Sequence, residues 1–139
     1  MLLGQETVGE VCDIAFDAPL WEIFDEKLKD TGYTYENYEV TSEDGYILSL
    51  VRLVQDGESD EDRAVRPPVL FQHGIAMTAE NWLTITEDTS QTATVLQALE
   101  RGYDVWLSNS RGTRYSLGHT SLDAKVDTEY WDFSFDKMG

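Results

Sequence analysis

Basic residues are scarce in this chain. Ten Lys and Arg stand against 27 Asp and Glu over 139 residues, a formal net charge of −17. A surface this negative is repelled by phosphates, so neither nucleic acid nor an anionic membrane is an expected partner. Self-repulsion opposes the compact state, and mild acid relieves it by protonating carboxylates. That suits an acidic compartment, although simple solubility accounts for the charge as well. Cysteine is nearly absent. Cys12 alone cannot make an intrachain disulfide, so the sequence carries no mark of an oxidising compartment. It reads as a packed small apolar residue, or as half of a bond to a segment outside the chain. No run approaches 18 apolar residues, so no transmembrane segment is expected. The first ten residues lack the basic and apolar stretches of a signal peptide. The only histidines, His73 and His119, form no clustered ligand set with Cys12, so no metal and no other cofactor is expected.

One further absence bears on catalysis. No serine lies in a Gly-x-Ser-x-Gly pattern, the elbow that exposes a nucleophile between a strand and a helix. Ser110 comes nearest, with Gly112 two residues on, but Ser108 stands where the first glycine belongs. Neither histidine follows an elbow serine, so no Ser-Asp-His order exists.

What is present is enough for a core: 41% hydrophobic residues, with four Trp, seven Tyr and five Phe. Yet a complete α/β enzyme usually needs roughly 200–250 residues or more. The fold class expected is α/β, with an incomplete sheet. Residues 17–30 place Leu20, Ile23, Phe24 and Leu28 at helical spacing between Pro19 and Gly32. Residues 35–42 and 45–53 read as strands joined at Asp44-Gly45, a hairpin signal. The acidic stretch 55–66 reads as a mobile surface loop. A short buried strand, 69–72, follows Pro67-Pro68. A helix over 92–102 then carries Val95, Leu96 and Leu99 on one face and stops at Gly102. A strand over 103–107 and a loop-rich tail with Tyr130, Trp131, Phe133 and Phe135 complete the order. A β-hairpin followed by strand, helix and strand suits an α/β sheet with an antiparallel entry.

Two junctions stand out, each just after a strand. In Gln72-His73-Gly74-Ile75 the glycine permits an unusual backbone turn, and His73 is expected to act through shape and hydrogen bonding rather than proton transfer; an ordinary strand-to-loop turn is the alternative. In Asn109-Ser110-Arg111-Gly112, Ser110 reads as a structural loop residue, and Arg111 pairs with a carboxylate or carbonyl. His119, in Leu117-Gly118-His119-Thr120, reads as a surface or hydrogen-bonding residue.

Several stretches, in order and with matching spacing, carry a resemblance: Tyr38-Glu39-Val40-Thr41 with Glu43-Asp44-Gly45-Tyr46; Pro67-Pro68-Val69-Leu70-Phe71-Gln72-His73-Gly74; Gly102-Tyr103-Asp104-Val105-Trp106-Leu107; Asn109-Ser110-Arg111-Gly112-Thr113-Arg114; His119-Thr120-Ser121-Leu122-Asp123; and Trp131-Asp132-Phe133-Ser134-Phe135-Asp136. The chain resembles the N-terminal part of the acid lipase family of α/β-hydrolases, whose gastric, lysosomal and plant members hydrolyse acylglycerols or steryl esters with a Ser-His-Asp triad. The match runs from about residue 35 to the end. Residues 1–34 form an N-terminal extension with the short helix, and residues 76–88 depart from the family, with 84–88 replacing a stretch expected near the substrate mouth.

The resemblance implies an oxyanion loop of His73, Gly74 and Ile75, with the Ile75 N–H as one donor and Asn109, Ser110, Arg111 and Gly112 as a structural loop beside it. It places the whole triad beyond Gly139, so no catalytic residue lies in this chain. The implied partner is the C-terminal remainder of the domain or a complementary chain, with a lipid ester as substrate once assembled. Family members are secreted, lysosomal or vacuolar. A non-catalytic lipase-like subunit of a larger assembly is the alternative, and lipid binding without chemistry a third. The resemblance also makes strand 69–72 central, with one neighbour absent. Its bare edge invites pairing, and the aromatic tail at 130–135 loses packing partners.

Overall fold

The computed structural model of the chain describes residues 20–83 and 93–138. Helix α1 (Glu22–Leu28) is shorter than the expected 17–30, and Pro19 lies outside the described residues. Phe24 and Leu28, four apart, share its buried face, whereas Leu20 precedes the helix and is exposed. Asp30 and Gly32, with φ of 60° and 79°, turn the chain away from the helix.

The hairpin forms as expected. Strands β1 (Tyr33–Thr41) and β2 (Tyr46–Gln55) pair antiparallel, from Tyr33 opposite Gln55 to Thr41 opposite Ile47. Gly45 closes the turn at φ 95°, and its missing Cβ leaves room for the His119 ring and the Thr120 hydroxyl.

The stretch 55–66 is not simply a loop. Helix α2 (Asp60–Ala64) forms there, with the Ser59 hydroxyl accepting the Asp62 N–H at 3.2 Å. Asp60, Glu61 and Asp62 fill its first turn, where carboxylates meet the positive end of the helix dipole. Arg63 is buried and reaches Glu36 of β1 at 2.9 Å. The acidic run that suggested a loop is an N-terminal capping pattern.

Strand β3 (Pro68–Gln72), helix α3 (Thr94–Glu100) and strand β4 (Asp104–Ser108) follow, with β3 and β4 parallel. Gly102, at φ 86°, stops α3 as expected. The strand order is β1-β2-β4-β3, with the short β5 (Gly118–His119) on the end of β2. This is an open, mixed sheet, and among the described residues β3 pairs only with β4.

Alternation along the strands sorts the two faces. Val51, Leu53, Val105 and Leu107 are buried in one core with Phe24, Leu28, Val95, Leu96 and Leu99 of the helices. On the other face Arg52, Trp106 and Leu70 line up across three strands. Arg52 grips Asp104 with two hydrogen bonds, at 2.7 and 3.0 Å, and stacks on Trp106. Leu70, at the free side of the sheet, is 60% exposed.

The tail meets the expectation of lost packing only in part. Tyr130 is fully buried against Tyr46, and Phe133 meets the same ring edge-on. Only Trp131 and Phe135 of the tail aromatics stay exposed. Tyr46, presented by β2, is the ring against which both Tyr130 and Phe133 pack.

The aromatic core makes a pH prediction. Burial, then the hydrogen bond to Asp25, pushes the Tyr35 phenol up to about 12. Burial also raises Tyr33, Tyr115 and Tyr130. A phenol whose folded pKa lies above its unfolded value of about 10 stabilises the fold fully below that value. That stabilisation is lost as pH rises through the folded pKa. Phenolate absorbance should therefore show tyrosines titrating late and together with alkaline unfolding. Four of the seven tyrosines ionising near pH 10 with the fold intact would contradict this.

Candidate functional site

The ends of the parallel strands β3 and β4 lie side by side, Gln72 opposite Ser108. The segments leaving them border an open cavity of about 730 Å³, walled by residues 72–78, 110–113 and the tail aromatics Trp131, Phe133 and Phe135. Loop ends of a parallel sheet gather here because both strands point their C-termini the same way.

His73 is buried and uses both ring nitrogens. Nε2 accepts the Ser110 N–H at 3.1 Å, so the proton sits on Nδ1, which donates to the Gly74 carbonyl at 2.8 Å. Beyond it, residues 74–77 make a tight turn, closed by the Met77 N–H donating to the Gly74 carbonyl at 3.2 Å. Ala76 sits in the turn's third position at φ 59°, a left-handed conformation that costs a non-glycine residue about 1 kcal/mol or more. Ile75 holds the second position. Its N–H has no partner among the described residues, and its side chain is 69% exposed beside Met77.

The loop after β4 is fixed from the other side. The Asn109 N–H donates to Ser49 at 3.1 Å, and its side-chain oxygen accepts the Ala79 N–H at 3.0 Å. Arg111 grips Asp44 of the hairpin turn at 2.5 and 3.1 Å and lies over the Tyr46 ring at 4.1 Å. Hydrogen bonding from Arg111, more than any other influence, holds the Asp44 carboxyl well below the usual carboxylate range. The tie between hairpin and loop therefore persists into acid. Gly112, at φ 79°, stands where a Cβ would press on the Trp131 and Phe133 rings at 3.0 and 3.1 Å.

A family model described as a partial alpha/beta-hydrolase lipase region matches residues 24–86. Human lipase member K is 41% identical over 107 residues, covering 77% of this chain and 26% of that protein. Mouse gastric triacylglycerol lipase is 40% identical, and human lysosomal acid lipase/cholesteryl ester hydrolase 38%, each with the same coverage. The chain belongs to the acid lipase family. It corresponds to an N-terminal region of this family, and it spans about a quarter (26%) of the length of these relatives. The partial α/β sheet is the fold that this membership calls for.

On this acid lipase frame the residues singled out in the sequence fall into two groups. His73, Gly74, Ile75, Ser110, Arg111 and Gly112 gather at the cavity, with Asn109 buried behind it. His119 belongs to the hairpin instead. Its Nδ1 accepts two backbone N–H groups, from Ser121 and Leu122, both at 3.1 Å, so Nε2 donates to the Asp44 carbonyl at 3.0 Å. The Ser110 hydroxyl accepts from the Gln72 carboxamide at 2.9 Å, and it is the Ser110 N–H, not the hydroxyl, that meets His73.

One expectation needs correcting. Gly74 is not the strained position: it lies outside the left-handed region, and a Cβ there would make only an ordinary 3.5 Å contact with the Met77 sulfur. The unusual conformation sits two residues on, at Ala76, because the turn begins at Gly74 rather than bending there. Of the segment 76–88, read as a departure from the family, residues 76–83 are described and fall within the family match, and residues 84–88 lie outside the described residues. Gln72 was not singled out. A polar carboxamide closing an otherwise apolar strand was the available signal.

Proposed function

We propose that this chain supplies one side of an ester-hydrolase active site: the Ile75 N–H serves as an oxyanion donor, and the nucleophile, acid and base come from sequence beyond Gly139. The substrate class is a lipid ester, an acylglycerol or steryl ester. The observation that carries this reading is the Ile75 N–H, without a partner among the described residues, on a turn fixed at the mouth of the cavity. When a nucleophile adds to an ester carbonyl, the oxygen gains a full negative charge. N–H groups already aimed at that position stabilise it without rearranging. A second N–H comes from the residue after the nucleophile in hydrolases of this fold. The exposed Ile75, Met77, Trp131 and Phe135 give the cavity an apolar rim suited to acyl chains or to the rest of the domain.

Alone, the chain is inactive. It has no elbow serine, and both ring nitrogens of each histidine are committed to structural hydrogen bonds. Its partner is the remainder of the domain, as continuing chain or complementary chain, adding a strand to the free side of β3. The test is to incubate the 139-residue chain with a short chromogenic ester and a fluorophosphonate probe, with and without the complementary segment. Turnover and labelling should arise only with the complement, and the label should lie on the complement. A label on Ser110 or on any other serine of this chain overturns the reading.

A further inference from the structure

The β3–β4 ladder ends at Gln72 opposite Ser108. Past that pair, among the described residues, side chains rather than backbone ladders join the two exits. The Gln72 carboxamide spans the gap. Its oxygen accepts the Ser108 hydroxyl at 2.5 Å, and its nitrogen donates to the Ser110 hydroxyl at 2.9 Å. His73 adds the bond from its Nε2 to the Ser110 N–H at 3.1 Å. Six residues downstream the Asn109 side chain takes the Ala79 N–H. The segment between is thus tied at both ends to three consecutive residues, 108–110, and the turn bearing Ile75 is its free middle.

We propose that Gln72 and His73 are positioning residues that lock the 74–77 turn onto the β4 exit, and so set the direction of the Ile75 N–H. This rests on the reading of Ile75 as an oxyanion donor. The chemistry suits the task. A carboxamide offers one acceptor and one donor about two ångströms apart, and here each faces a different serine. The neutral imidazole likewise accepts on one nitrogen and donates on the other, so its tautomer is fixed by the two backbone groups it joins. A donor must keep its aim while charge develops, and preorganisation of this kind requires the turn to be held by bonds that do not include the donor itself. Ile75 satisfies that condition: the turn is anchored through 72, 73, 74 and 79, and the Ile75 N–H has no partner among the described residues.

The test begins with the unaltered, ¹⁵N-labelled chain. A through-hydrogen-bond coupling between the Ser110 amide and the His73 Nε2, with the proton on Nδ1, is expected. Gln72→Leu should then speed exchange of the Met77 and Ser110 amides about tenfold or more, while amides of the β1–β2 ladder keep their protection. Gln72→Glu can still accept both serine hydroxyls and should restore most of that protection. A folded chain without the coupling, or with Met77 and Ser110 exchange unmoved in Gln72→Leu, overturns the proposal. The coupling measurement stands even if Gln72→Leu fails to fold. Failure of the oxyanion reading looks different. The lock would be present and sensitive to Gln72, while the assembled hydrolase turned over normally without the Ile75 N–H. If both hold, Gln72→Leu lowers kcat and leaves KM near its starting value.

Discussion

Replacing Ile75 by proline should lower kcat of the assembled hydrolase by about 10²–10³-fold, the usual cost of losing one oxyanion donor. The fold should be left as it was. The substitution is informative because the turn tolerates it. Ile75 occupies the second position of a turn closed by Met77 N–H to Gly74 O at 3.2 Å, with only Ala76 left-handed, at φ 59°. Ile75 is not among the positive-φ residues, and proline, with its fixed φ of about −65°, is favoured at the second position of both type I and type II turns. The residue before a proline is crowded away from helical backbone, and Gly74, with no Cβ, is the residue least troubled by that. No hydrogen bond is lost among the described residues, because the Ile75 N–H makes none. The side chain is mostly solvent-facing, so little burial is forfeited. Ile75→Ala removes the same side chain and keeps the N–H, and it should keep kcat. Turnover of a soluble ester, measured beside thermal melting, separates the two effects. If the proline variant melts normally and turns over like the alanine variant, Ile75 is not the donor.

The sequence was most informative where a local rule and the tertiary fold agree. Asp44-Gly45 announced the hairpin, and Gly45 does adopt the left-handed backbone that the turn needs. Val95, Leu96 and Leu99 announced the buried face of α3. The acidic stretch at 58–62 misled because charge density suggests solvation, whereas Ser59 followed by three acidic residues is also how a helix begins. At the site, His73, Ser110 and Arg111 were legible as residue types at strand ends. Their partners were not. Which carboxylate Arg111 would choose among 27 depends on the hairpin curling back to bring Asp44 within 2.5 Å. The role of Gln72 depends on a parallel register that sets it opposite Ser108. The strain at Ala76 was invisible for a different reason: alanine gives no hint of positive φ, and only the closed turn around it imposes one.

The tail should prove to be part of the fold, and Tyr130→Ala is the substitution that shows it, with an expected loss of about 3–5 kcal/mol in unfolding free energy. Tyr130 is fully buried, ringed by Tyr46 at 5.2 Å, Trp131 at 4.9 Å and His119 at 6.3 Å between centroids. Deleting the ring opens a cavity whose walls are other rigid rings, which relax poorly, so the upper part of that range is expected. The hydroxyl contributes less. It donates to the Ser116 carbonyl at 3.1 Å, but that carbonyl also takes the Gly112 N–H at 3.0 Å and is not orphaned by the loss. Tyr130→Phe should therefore cost only about 0.5–1.5 kcal/mol. The Tyr46 hydroxyl complicates the comparison little, since it donates to the Tyr130 backbone carbonyl, at 2.5 Å, which both variants retain. For a domain whose whole stability is about 5–15 kcal/mol, the alanine variant sits near the limit of folding. Its failure would free Tyr46, the ring on which Arg111 rests while holding Asp44. The loop after β4 would then lose the support beneath its Arg111–Asp44 tie, and the cavity wall that it forms would move with it. Urea unfolding of the two variants against the parent chain decides the matter. A Tyr130→Ala midpoint equal to that of Tyr130→Phe would mean that the ring is not packed as described and that the aromatic tail lies loose on the sheet.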